Sequence, residues 1–136
     1  MNSINFWSIL VSSIITFAVT SIWYSRFLFG REWAELNDKS DSELESAQKG
    51  IWKSYITYFI ATIITFCILG FIVNSINVTR AIDGSFFGFL LWLGFVAPTI
   101  LGDYLWNNST FKLFLINSIP VLINLIIGGA IIVGWK

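Results

Sequence analysis

Four long apolar stretches, residues 5–25, 54–79, 84–102 and 113–135, run through the chain without a single Asp, Glu, Lys or Arg. A helix that crosses roughly 30 Å of hydrocarbon at 1.5 Å per residue needs about 20 mainly apolar residues, and each stretch supplies about that length. The pattern predicts an all-α integral membrane protein, one transmembrane domain over residues 1–136, with spans near 5–25, 54–74, 84–102 and 113–134. Four such helices around one small soluble core would leave little surface to meet water. A polar loop over residues 26–53 separates the first two spans, and the other connections are brief. Short connections make consecutive helices antiparallel neighbours, so an up-down four-helix bundle is the economical topology.

The ends of the stretches carry tryptophan: Trp7, Trp23, Trp52, Trp106 and Trp135, with only Trp92 in mid-span. That distribution matches the aromatic belt at the two membrane interfaces. The first stretch lacks a basic leader and a small-residue cleavage site before Ile22, Trp23 and Tyr24, so it reads as a retained span rather than a signal peptide. Basic residues set the orientation. The first and third loops hold Arg26, Arg31, Lys39, Lys49, Lys53 and Lys112, against Arg80 and Lys136 on the other side. The positive-inside rule then places loops 26–53 and 103–112 in the cytoplasm and both termini outside, with a bacterial inner membrane as the expected location.

Composition sharpens the picture by what it removes. Only 12% of the 136 residues are charged, about half of the roughly 25% usual in soluble domains, and the mean hydropathy is +0.76. Eight basic and eight acidic residues cancel, which leaves no net positive field to attract nucleic acid. There is no histidine, and Cys67 is the sole cysteine. Intrachain disulfides, Cys/His zinc sites, His-based triads and His-ligated haem are therefore excluded by inventory, and no cofactor is expected.

Eleven of the sixteen charges lie in residues 26–53. There, apolar Phe27, Leu28, Phe29, Trp33 and Leu36 interleave with Arg31, Glu32 and Glu35, as in an interfacial amphipathic segment. Ser40 followed by Glu43 matches a capping box. It predicts a short cytoplasmic helix over residues 41–49, ended by Gly50. Asp83 is expected to cap the third span.

Inside the spans the few polar and small residues define candidate contacts. Gly84 and Gly88 form a small-xxx-small pair, and Gly128 with Gly129 allows a second close helix approach, within one chain or between protomers. Ser8, Ser12, Thr16 and Thr20 recur every four residues; such hydroxyls either bond back to the preceding turn or line a polar interior. Asn117 and Asn124 are seven residues apart and share a face. An unpaired amide in hydrocarbon costs a few kcal/mol, so that face should look inward. Pro120 between them removes one helical hydrogen bond, and the freed carbonyl is either packing glue or the start of a binding site. Asp103 falls about 30 Å from Asp83 along the third span, at the end where Trp23, Tyr24, Arg26 and Lys53 lie, and shares a face with Trp92. An Asp103–Arg26 or Asp103–Lys53 pair is expected to close that end, as a structural clasp or as a ligand or gating site.

These residues resemble a known family. Trp23-Tyr24-Ser25-Arg26-Phe27-Leu28-Phe29-Gly30 with Trp33 looks like its first signature, with Arg26 where the family pattern has proline. Asp83-Gly84, Gly88-Phe89 and Leu91 to Ala97 look like its third span; Asp103-Tyr104-Leu105-Trp106 and Lys112 to Asn117 look like its last signature. Together they are similar to the bacterial membrane proteins grouped as domain of unknown function 1761, over nearly the whole chain. The resemblance implies a small four-span prokaryotic membrane protein and no established activity.

Two functional readings follow. In the first, an oligomeric bundle binds or transports a small solute through an interior lined by the amides, hydroxyls and aromatics. In the second, an accessory or structural protein binds another membrane subunit through its spans or through loop 26–53. No catalytic constellation is present, so an enzyme is not expected.

Overall fold

The computed structural model describes residues 5–25, 28–40, 42–43, 46 and 49–135. Four helices are long and apolar enough to cross a membrane. They are α1 (Phe6–Trp23), α3 (Ile51–Ser75), α4 (Ala81–Trp106) and α5 (Phe111–Gly134), and a short α2 (Gly30–Leu36) follows α1. No strand occurs among the described residues.

α3, α4 and α5 run past their charge-free stretches to take in flanking charges, whereas α1 ends inside its own. α3 takes in Lys53, and α4 takes in both Asp83 and Asp103. The hydrocarbon demands an apolar segment, but the helix continues through the interface until a stop signal arrives. Asn5 Oδ1 accepts from Trp7 N at 2.9 Å to start α1, and Thr110 Oγ1 accepts from Leu113 N at 3.1 Å to start α5. The turns between spans use Asn77 (φ 58°) and Asn108 (φ 53°), a conformation that asparagine tolerates better than most residues. Asp83 is not the cap of α4: that helix begins at Ala81, so Asp83 lies in its first turn, 3.9 Å from Arg80. There the carboxylate still meets the positive end of the helix dipole. Of the expected helix over 41–49, residues 41, 44, 45, 47 and 48 lie outside the described set; Glu43 N does donate to Ser40 Oγ at 3.2 Å, half of the capping box.

The registers between helices are antiparallel for three pairs. Along α4 and α5, Gly84 meets Gly129 and Gly88 meets Leu125. Between α1 and α5, Thr20 meets Asn124 and Tyr24 meets Asn117. Along α1 and α3, Phe17 packs on Tyr55 and Phe59, while Ile9 joins Phe66, Leu69 and Val73. Consequently the C-terminal ends of α1 and α4 and the N-terminal ends of α3 and α5 share one end of the molecule. α5 is the hub: 44% of its spanning window is buried, against 17% for α4. Although α3 and α4 are consecutive, α4 packs chiefly on α5 and α3 on α1.

The glycine faces operate within the chain. A Cβ on Gly84 would run into the Gly129 carbonyl, one on Gly129 into the Gly84 carbonyl, and one on Gly88 into the Leu125 carbonyl. Gly128 gives its space instead to the Phe66 ring from α3. Such backbone approach replaces the hydrophobic drive that lipid does not supply between helices.

α4 is not regular. Over Trp92–Val96 it widens to a π turn in which Ala97 N–H donates to the Trp92 carbonyl, five residues back. Pro98 accounts for this. Its ring crowds the carbonyl four residues earlier and it has no N–H to offer, so the preceding turn opens.

Candidate functional site at a proline break

Pro120 lies inside α5 and is fully buried. In an unbroken helix the residue at 120 would donate its N–H to the Ile116 carbonyl; proline cannot. Two side chains from the end of α1 fill the gap. Trp23 Nε1–H donates to Ile116 O at 2.9 Å, and the Tyr24 hydroxyl stands 3.3 Å from the same oxygen. That hydroxyl is also 3.1 Å from Asn117 Oδ1. Its single proton serves one acceptor at a time, and the shorter contact favours Asn117.

The local sequence aims these donors. After Trp23 the chain folds back on itself: Phe29 N donates to Trp23 O at 3.0 Å and Gly30 N to Ser25 O at 2.9 Å. Gly30 is required because a Cβ there would strike the Tyr24 and Ser25 carbonyls. The hook sets the Phe29 ring 4.5 Å from the Trp23 ring and brings Trp33 of α2 edge-on to Tyr24 at 6.3 Å. Both indole and phenol are thereby held in place from behind. Lys112 at the start of α5 reaches Glu32 of α2 at 3.6 Å. With both side chains well exposed, that pair contributes at most a few tenths of a kcal/mol, but it shows loops one and three meeting at one end.

Two residues further along α5 a third donor arrives. Trp92 Nε1–H donates to Ser118 O at 2.8 Å, with its ring stacked beside Phe89. This explains the tryptophan that sits in mid-span rather than in the interfacial belt. Beyond the break, Asn124 Nδ2 donates to Thr20 Oγ1 at 2.8 Å, and Ser85 Oγ donates to Ile126 O at 3.0 Å.

The structure therefore brings together Trp23, Tyr24, Trp92, Asn117 and Asn124, all at the α5 break or one turn from it. It does not join Asp103 to Lys53. Asp103 is exposed and receives the Asn107 side-chain amide within its own turn, while Lys53 Nζ lies 5.6 Å from the Trp52 ring centroid. The Asp103 carboxylate thus finds its donor four residues on, just past the end of its own helix, rather than on another helix. Arg26 lies outside the described residues.

The hydroxyl stripe of α1 faces inward: Ser8, Ser12 and Thr16 are fully buried. Ser8 bonds to Asn5 O at 2.6 Å and Thr16 to Ser12 O at 2.8 Å, the back-bonded form. Only Thr20 reaches across to another helix. Three buried atoms, Ser12 Oγ, Ser118 Oγ and Asn124 Oδ1, have no partner among the described residues. Sequence reasoning did not single out Ile116 or Ser118. The signal for Ile116 was present, because it stands four residues before Pro120.

The family model described as protein of unknown function (DUF1761) matches residues 7–133. The chain belongs to that family. No curated protein and no solved structure matches it. Within the family match lie the Trp23–Gly30 hook, the α4 π turn and the Pro120 break.

Proposed function

We propose that this DUF1761 member is an accessory, structural membrane protein that works through lateral association with another membrane chain, in the simplest case a second copy. It would sit in a bacterial inner membrane with loops 26–53 and 103–112 in the cytoplasm. The observation that carries this reading is the engagement of the polar groups with one another. Trp23 and Trp92 bond to α5 backbone carbonyls, Tyr24 to the Asn117 side chain, and Asn124 to Thr20. A solute path through the bundle would need these groups turned toward an open route. Instead they fasten α1 and α4 onto α5, and the glycine contacts bring the backbones together beside them.

The face left for association is that of α4. It is the least buried span, and around its π turn Leu93 and Phe95 point outward while Gly94 leaves open space beside its Cα. Pro98 supplies no N–H to the turn before it, and backbone carbonyls at membrane depth call for a donor from a neighbour. The proposal assigns the chain no catalytic role.

The test uses single cysteines in a Cys67→Ser background, oxidised in native membranes. Phe95→Cys is expected to give a discrete cross-linked species, and Ile64→Cys on the outward side of α3 is not. Equal cross-linking at both positions would refute association through α4. In proteoliposomes, solute flux that Asn117→Leu or Tyr24→Phe abolishes would overturn the structural reading in favour of a conduit.

A further inference from the structure

The end of the molecule that holds Glu32 and Lys112 also carries an open groove of about 430 Å³ on α3, lined by Lys53, Ser54, Thr57, Tyr58 and Ala61. These positions fall on successive turns of one helix face. From Lys53 to Ala61 the groove runs about 12 Å down the helix axis, from the interface that Trp52 marks into the span.

Two features separate this groove from the rest of the helix. First, its charge is uncompensated. Lys53, the one basic residue of α3, has no carboxylate partner among the described residues, as Arg31, Lys39 and Lys49 have none, and lies beside the Trp52 ring. Second, its hydroxyls are unengaged. One and two turns further along, Thr62 and Thr65 bond back to the Tyr58 and Ala61 carbonyls at 2.8 and 3.0 Å, the usual state of a hydroxyl in a spanning helix. Within the groove, the hydroxyls of Ser54, Thr57 and Tyr58 take part in no hydrogen bond among the described residues. A cation and three hydroxyls without a hydrogen-bond partner among the described residues thus stand together on this face.

We propose that this groove seats the phosphate of an anionic phospholipid. The Lys53 ammonium supplies the charge, and Ser54, Thr57 and Tyr58 donate to the phosphate oxygens. The small Ala61 side chain leaves room for the glycerol end. The outward Ile60 beside it and Ile64 below it offer an apolar wall for the first part of an acyl chain. That apolar continuation is why the occupant is a lipid rather than free phosphate. The site lies on α3, away from the α4 face, and stands without the association reading; it requires only that the chain sits in a bilayer.

The test is native mass spectrometry of the full chain released from nanodiscs of phosphatidylglycerol or phosphatidylcholine. Wild type is expected to retain one phosphatidylglycerol in preference to phosphatidylcholine. Lys53→Met should weaken that preference about fivefold, the effect of one lysine near an anionic surface. Thr57→Val should weaken it as well, with thermal stability in phosphatidylcholine unchanged in both. Lys49→Met, which removes a charge outside the groove, should leave the preference intact. An unchanged preference in Lys53→Met and Thr57→Val would overturn the proposal. An equal loss in Lys49→Met would reduce it to diffuse surface charge. Displacement of the retained lipid by millimolar inorganic phosphate would show a free-anion site and overturn the lipid assignment.

Discussion

If the Ile116 carbonyl is orphaned by Pro120 and rescued by Trp23 and Tyr24, then removing the donors should matter only while the proline is present. Trp23→Phe keeps most of the ring volume and the contact with Phe29 but deletes the 2.9 Å bond to Ile116 O. A net hydrogen bond is worth roughly 0.5–1.5 kcal/mol, and a buried acceptor left without a donor costs about 1–3 kcal/mol. Interhelical bonds in membrane proteins average nearer 0.6 kcal/mol. Because the Tyr24 hydroxyl stands 3.3 Å from the same oxygen, it can take over, so Trp23→Phe alone should cost about 1 kcal/mol. Trp23→Phe with Tyr24→Phe should cost about 2 kcal/mol, since nothing then remains to donate. In Pro120→Ala the new N–H at 120 supplies the carbonyl from within the helix. The same Trp23→Phe change should then cost about 0.5 kcal/mol or less. The cycle isolates this coupling whatever Pro120→Ala does to stability by itself. Reversible unfolding in mixed micelles measures all four corners. A coupling energy indistinguishable from zero would refute the account of the break, leaving Trp23 as a packing residue.

Other consequences follow from the same contacts. Gly84→Leu should force α4 from α5 and destabilise by about 1–3 kcal/mol or more, read as a lowered melting temperature; an unchanged melt would show that the two backbones do not meet there. Ser118→Ala should leave stability unchanged or raise it by up to about 1 kcal/mol, because it deletes a buried hydroxyl without a partner while keeping the carbonyl that Trp92 uses. Thiol labelling of Ser42→Cys and Asn77→Cys in the Cys67→Ser background should find Ser42→Cys reachable from the cytoplasm and Asn77→Cys from outside. The reverse pattern would invert the orientation expected from the basic loops.

The sequence by itself determined that the chain is helical and built from four membrane-length segments, because the bilayer imposes that requirement on each segment separately. An apolar run of the right length must be a helix in hydrocarbon, since every backbone N–H and C=O needs an internal partner. The same local logic exposed the candidate polar residues: Asn117, Asn124 and Pro120 stand out because each is costly where it lies. Gly84, Gly88, Gly128 and Gly129 were likewise legible as close-approach positions, but not which surfaces they would face. Only the tertiary structure decided the pairings. It turned the freed Ile116 carbonyl toward Trp23 and Tyr24, gave Gly128 to Phe66 and Gly129 to Gly84, and made α5 the hub. It left Asp103 to its own turn rather than to Lys53. Lipid supplies little hydrophobic preference for one helix neighbour over another, so the choice rests on shape and on which donor reaches which acceptor. Those are distances between residues as far as 104 positions apart, as for Thr20 and Asn124, and periodicity along one helix carries no information about them.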